Sequence, residues 1–152
     1  MAFGLPYVAL RYANVYGPRQ SSLGEAGVVA IFISQLLAGK SPVINGDGKQ
    51  TRDYVFVGDV VRANAAALDT IYTGPINIGT GKETDVVTIC ESLREGVGSP
   101  VKAIHGPAKL GEQRRSCLMT SLARKVLGWK PEVDLKEGLQ QTLAYYQKAG
   151  PS

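Results

Sequence analysis

Stretches of alternating and β-branched residues take turns along this chain with stretches whose apolar residues recur every three to four positions. That alternation restricts it to an α/β architecture. Residues 7–14 (YVALRYAN) and 52–57 (RDYVFV) are rich in β-branched and aromatic side chains and read as strands. Val28, Val29, Phe32, Ile33, Leu36 and Leu37 fall on one face of a helix over 28–38, which Gly39 stops. A short strand over 42–45 leads into the tight turn Gly46-Asp47-Gly48-Lys49. Asp59 reads as the N-cap of an Ala-rich helix running to about residue 70.

Residues 76–78 form a short strand before the turn Gly79-Thr80-Gly81. Asp85 caps a helix to about residue 95 that turns Val86, Ile89, Cys90 and Leu93 inward, and a strand follows over 101–105. Thr120 or Ser121 opens a short helix closed by Gly128. Asp134 and Glu137 make a capping-box pattern for a last helix with the inner stripe Leu135, Leu139, Leu143 and Tyr146.

The length, 152 residues, suits a single domain over 1–152. A chain of this size buries roughly 68–70% of its unfolded surface, so no disulfide is needed. With 44% hydrophobic and 20% charged residues, disorder is excluded. The mild excess of Lys+Arg over Asp+Glu, 17 against 13, suits a small anion such as a phosphate ester. It lacks the clustering of a nucleic-acid footprint, and no nucleic-acid partner is expected. No apolar run approaches the ~18 residues of a membrane span, and the start has no basic region before an apolar core. A cytoplasmic protein is therefore expected, with Cys90 and Cys117 as reduced structural thiols. The two cysteines make no CxxC and there is one histidine, so no metal site is expected.

Several absences bear on chemistry. There is no Gly-x-Gly-x-x-Gly, and Gly79-Thr80-Gly81 lacks the third glycine of a dinucleotide turn. Gly39-Lys40-Ser41 resembles the end of a P-loop, but Ser34 holds the place of the first glycine and a helix precedes it. His105, at a strand end, reads as an ordinary surface or turn histidine. No tyrosine has a lysine four residues on, so no phenol gains a local lysine to lower its pKa for acid/base work. No catalytic residue is expected on this chain.

Four blocks carry the functional signal. They are Leu10-Arg11-Tyr12-Ala13-Asn14-Val15-Tyr16-Gly17-Pro18-Arg19; Ile44-Asn45-Gly46-Asp47-Gly48-Lys49-Gln50-Thr51-Arg52-Asp53-Tyr54-Val55 with its continuation to Val60; Asn77-Ile78-Gly79-Thr80-Gly81; and Gly111-Glu112-Gln113-Arg114-Arg115-Ser116 followed by Leu127-Gly128-Trp129-Lys130-Pro131. In this order and spacing they resemble the C-terminal, substrate-binding half of the extended short-chain dehydrogenase/reductase family. The likeness is to its nucleotide-sugar epimerases and dehydratases of the UDP-glucose 4-epimerase kind, and it covers essentially the whole chain.

The resemblance implies a partial NAD(P)-binding Rossmann-type fold: a small mixed sheet with surrounding helices, most of the dinucleotide-binding part absent. It implies that NAD is the cofactor of the full-length family and that the isolated chain holds none. It also implies substrate contacts. Asn14, at the strand end, would donate its amide to the substrate diphosphate; the ordinary alternative is an Asx-turn. Arg52 would pair with the diphosphate through its planar fork of donors; the alternative is a surface ion pair. Lys109 would meet phosphate and Glu112 would accept from ribose hydroxyls, although lysine stands where the family often has arginine. Val43 and Ile44 would lie against the base, or pack in the core. Tyr12 would face the nicotinamide of a whole enzyme. Arg114 and Arg115, adjacent in an extended segment, point to opposite sides and read as structural ion-pair donors. Asp53 reads as a turn residue and Trp129 as a packing anchor. Met119 and Leu110 depart from the family's common Asp and Pro.

Two readings follow. One is the nucleotide-sugar-binding portion of an NAD-dependent isomerase, inactive alone, binding a UDP-sugar or another nucleoside diphosphate sugar. The other is a non-enzymatic oligomerising domain, or one half of a split epimerase. The expected partners are another copy of the chain or an N-terminal Rossmann half.

Overall fold

A computed structural model describes residues 5–23 and 27–149. Among these residues the elements are β1 (Val8–Tyr12), β2 (Asn14–Tyr16), α1 (Val28–Leu37), β3 (Val43–Asn45), β4 (Thr51–Phe56) and α2 (Val57–Leu68). There follow β5 (Gly74–Ile78), β6 (Glu83–Asp85), α3 (Val86–Val97), β7 (Ile104–Gly106), α4 (Ser121–Leu127) and α5 (Leu135–Ala149).

The α/β class holds, but the strands divide into three small sheets: β1–β5, β2–β4–β6 and β3–β7. Mixed pairing is confined to the second, where β2 runs parallel and β6 antiparallel to β4. The other two are parallel pairs. The division begins inside the first predicted strand. Ala13 still donates its N–H to the Ile78 carbonyl at 2.8 Å, and Asn14 then pairs with Tyr54. The chain is handed from β5 to β4 there, so Val15 and Tyr16 continue as strand beyond the end expected at Asn14.

β4 holds the layers together. Asp53, Tyr54, Val55 and Phe56 are all buried, as befits a strand covered on both faces. Tyr54 and Phe56 join Tyr16, Ile44 and the inner faces of α1, α3 and α5. The Tyr16 and Phe56 rings meet edge to face at 5.8 Å. Val55, on the other side, packs with Ile76, Ile78, Val60, Ala63 and Trp129. Each large aliphatic buried here contributes roughly 1.5–3 kcal/mol.

Several predicted elements form within a residue or two of their expected bounds. α3 opens on Asp85, whose carboxylate accepts the Thr88 N–H at 2.7 Å, and buries Val86, Ile89, Cys90 and Leu93. It closes on Gly98 at φ 68°, a left-handed conformation that glycine reaches without steric cost. At α5 the Asp134 carboxylate accepts the Glu137 N–H at 2.8 Å. Leu139, Leu143 and Tyr146 are buried, with Leu135 packed beside them.

Other expectations need correcting. α2 begins at Val57, so Asp59 lies inside its first turn and caps nothing. Its fully buried carboxylate accepts the N–H groups of Glu132 and Val133, each at 3.2 Å, and stands 2.6 Å from the Arg62 guanidinium. Its carbonyl accepts from Trp129 Nε1 at 2.9 Å. Asp59 thus ties α2 to the segment after α4, and Trp129 is the packing anchor expected. The strand predicted over 101–105 is confined to β7, since pairing with β3 starts only at Ile104. Cys90 is buried, but Cys117 is exposed and no core thiol; neither is in a disulfide. No helix among the described residues is long and apolar enough to cross a membrane.

Candidate functional site: an arginine-anchored hollow beside β4

Consecutive strand residues point to opposite faces, so Arg52 and Asp53 diverge from adjacent positions on β4. The Asp53 carboxylate is buried and collects donors from two distant segments. It accepts from the Thr80 N–H (2.8 Å), the Thr80 hydroxyl (2.6 Å), the Gly81 N–H (3.0 Å) and the Leu118 N–H (3.4 Å). Gly79 permits this approach, because a Cβ at that position would stand 2.5 Å from Asp53 Oδ2. The expectation that Asp53 is a turn residue is corrected: it is the acceptor hub that fixes the 79–81 turn against β4.

Arg52 turns the other way. Its Nη1 donates to the carbonyls of Thr51 (2.8 Å) and Gln113 (2.7 Å), and its Nη2 stands 3.5 Å from Glu112 Oε1. The segment it grips runs beside β4. Thr51 donates its N–H to the Arg114 carbonyl at 3.0 Å, and Ser116 donates to the Thr51 carbonyl at 3.1 Å. The two arginines after Gln113 diverge as expected. Arg114 forms a two-pronged pair with Asp47, both contacts at 2.7 Å, and Arg115 one with Glu83 at 3.0 and 2.7 Å. The Arg114 hydrogen bonds hold the Asp47 carboxyl well below the usual carboxylate range. Those from Arg115, helped by the Thr51 hydroxyl, bring Glu83 down to about 2. Two loops are thereby pinned around a hollow of about 350 Å³ lined by Asn45, Asp47, Gln50, Lys109, Glu112 and Arg114, with Gly46 and Ala108.

The candidate residues fall into three groups. Arg52, Lys109 and Glu112 come together: Arg52 pairs with Glu112, whose N–H donates to the Lys109 carbonyl at 3.2 Å. Lys109 is exposed and makes no ion pair among the described residues. The lining of the hollow sets Lys109 and Arg114 against Asp47 and Glu112, and Arg52 adds a third cation through its pair with Glu112. Asn14 belongs with them by register: it is paired with Tyr54, two residues beyond Arg52, so Asn14 and Arg52 share one face of the sheet. Val43 and Ile44 divide. Val43 is exposed, whereas Ile44, 2% exposed, is a core residue offering no surface to a ligand. Tyr12 stands apart on β1, its hydroxyl donating to Asn64 Oδ1 at 3.0 Å.

Sequence reasoning missed Asp47, Gln50 and the hub role of Asp53. Asp47 carried a signal in its place within a turn facing a basic block. Asp53 carried none, because its partners lie 27 to 65 residues away.

A dinucleotide pyrophosphate does not fit the chain's own Gly-x-Gly turn. The Thr80 and Gly81 N–H groups that would cradle it are spent on Asp53, and the carboxylate there would repel a second anion.

An α/β domain with a hollow beside β4, held in place by arginine contacts, is the class of protein that these features define. The NAD dependent epimerase/dehydratase family matches over residues 1–79, just over half of the chain. The UDP-glucose 4-epimerase of Mycolicibacterium smegmatis is 48% identical over 136 residues, covering 89% of this chain and 44% of that protein. The UDP-glucose 4-epimerase of Thermotoga maritima, solved with UDP-glucose, superposes with a TM-score of 0.94 at 47% identity, over 97% of this chain and 48% of that one. The Thermus thermophilus UDP-glucose 4-epimerase in complex with NAD gives 0.91 at 38% identity, over 98% of this chain and 49% of that one. This chain belongs to the NAD dependent epimerase/dehydratase family, and it spans just under half the length of the relatives it matches.

Proposed function

We propose that the chain is the C-terminal, nucleotide-sugar-binding portion of a UDP-sugar epimerase of this family, a single domain without turnover of its own. The observation that carries this reading is the Arg52 guanidinium held against Gln113 and Glu112, the latter a lining residue of a hollow that also carries Lys109 and Arg114. A diphosphate there takes charge-assisted hydrogen bonds from Arg52 and Lys109, with the Asn14 amide as a neutral donor. Glu112 accepts from the ribose hydroxyls, and Val43 lies against the base with Ile44 supporting it from the core. The relative solved with UDP-glucose supports the ligand class.

Turnover needs a nicotinamide held against the sugar, and the pyrophosphate of NAD has no cradle in the 79–81 turn. The dinucleotide site therefore belongs to residues outside this chain, with Tyr12 at its border, and the compartment proposed is the cytoplasm. Adding UDP-glucose with NAD to the lone chain tests the proposal: binding without sugar interconversion is expected, and interconversion would refute the catalytic part. A second reading, an oligomerising domain without enzymatic function, is favoured by the uncovered edge of β1. It predicts self-association and no response to UDP.

A further inference from the structure

Arg124, Lys125 and Lys130 line one hollow of about 540 Å³, together with Thr120, Ser121 and Trp129, among others. None of these residues lines the hollow beside β4. The local fold brings the three cations together. Arg124 and Lys125 lie in the last turn of α4. Gly128 then takes a left-handed conformation, φ 61°, and turns the chain back, so that the Trp129 N–H donates to the Ala123 carbonyl at 3.4 Å. Lys130 follows directly. Its backbone is held in place: Trp129, 5% exposed, donates Nε1 to the Asp59 carbonyl at 2.9 Å, and the Lys130 carbonyl accepts from Arg62 Nη2 at 3.2 Å.

The charge gathered here is uncompensated. Residues 120–131 contain these three cations and no Asp or Glu. Without them the chain would carry 14 Lys+Arg against 13 Asp+Glu, so this stretch supplies three of the four charges that make it basic. Arg52, Arg62, Arg94, Arg114 and Arg115 each pair with a carboxylate, whereas Arg124, Lys125 and Lys130 make no ion pair among the described residues. Cations in the last turn of a helix complement its dipole. That accounts for Arg124 and Lys125 but not for Lys130, which lies beyond the Gly128 cap.

Three like charges around one concave surface repel, and a ligand with several negative charges relieves the repulsion. The Thr120 and Ser121 hydroxyls add donors to the lining. A nucleic-acid strand would ask for a longer track of cations and an aromatic face open for stacking, and Trp129 is buried. We infer that the hollow beside α4 binds an oligophosphate, a chain of two or more phosphates, free or as the tail of a nucleotide, at a site separate from the one beside β4.

The test is calorimetry of the full chain with tripolyphosphate, and with ATP in a second arm, at one fixed ionic strength. Every titration is repeated in an Arg52→Ala background, which separates this site from the one beside β4. The expected result is saturable binding in both backgrounds that weakens roughly tenfold or more in Lys125→Ala/Lys130→Ala. Lys40→Ala/Lys148→Ala removes the same net charge at exposed positions elsewhere and should leave the affinity within about twofold. Circular dichroism checks that all variants fold. Equal affinity for the two ligands identifies the bare phosphate chain as sufficient, and tighter binding of ATP identifies a nucleotide; either supports the site. No saturable binding at millimolar tripolyphosphate, its loss with Arg52→Ala, equal losses in the two lysine variants, or tighter binding of a single-stranded oligonucleotide would overturn the inference. UDP calorimetry on Lys125→Ala/Lys130→Ala should match the native chain, so this inference and the nucleotide reading fail independently.

Discussion

Arg52 donates to the Gln113 carbonyl at 2.7 Å while the side chain of its neighbour Asp53 accepts the Thr80 N–H at 2.8 Å. One strand therefore clamps two loops from opposite faces, and the position of the arginine depends on both grips.

Removing the Asp53 grip leaves the N–H groups of Thr80 and Gly81 without their acceptor. Asp53→Ala is expected to destabilise the fold by roughly 3 kcal/mol in urea unfolding, with Asp53→Asn costing less because one acceptor oxygen remains. A change below about 0.5 kcal/mol for the alanine variant would contradict the hub role.

The N-cap of α3 gives a smaller effect. Asp85→Ala loses the bond to the Thr88 N–H and is expected to cost about 1 kcal/mol, measured as a shift in the urea midpoint with an unchanged slope.

These two aspartates also mark what was legible. Asp85 acts through a residue three positions on, so local pattern reveals it, as it does the α1, α3 and α5 faces. Asp53 and Asp59 act on backbone groups far along the chain, and each looks in sequence like a turn or cap residue. The break at Ala13 was hidden for the same reason: strand propensity is continuous through it, and only the choice of partner changes. At the hollow, the family resemblance rather than residue type singled out Arg52 and Lys109 as phosphate contacts, and their proximity to Glu112 was visible only in the fold. Ile44 was ambiguous because alternate positions of β3 face solvent and core, and sequence alone does not set that phase.

Thiol accessibility follows from burial. Ellman's reagent is expected to label one cysteine, Cys117, in the native chain and both after unfolding. Cys90 is protected by burial, which also pushes its pKa up to about 11. Rapid reaction of both thiols in the native state would contradict the packing of α3.

Alkaline pH provides a check with a definite sign. Burial raises the folded pKa of Cys90 from 9.0 to about 11 and that of Tyr54 from 10.0 to about 12. Both contributions are fully present below the unfolded values and are lost as pH rises through the folded ones, because the unfolded chain gives up its protons first. Stability should thus fall between about pH 9 and 12. Cys90→Ala flattens the lower part of that fall and Tyr54→Phe the upper part, as read from urea midpoints across the range.

The central claim is that Arg52 anchors a nucleoside diphosphate, and calorimetry with UDP tests it most directly. The account predicts saturable heat for the native chain. With Arg52→Ala, shown to be folded by circular dichroism, binding should weaken by about 1.5–3 kcal/mol, with Arg52→Lys in between because it keeps the charge and loses the fork. No heat at millimolar UDP with folded protein, or equal affinity in all three chains, would contradict it.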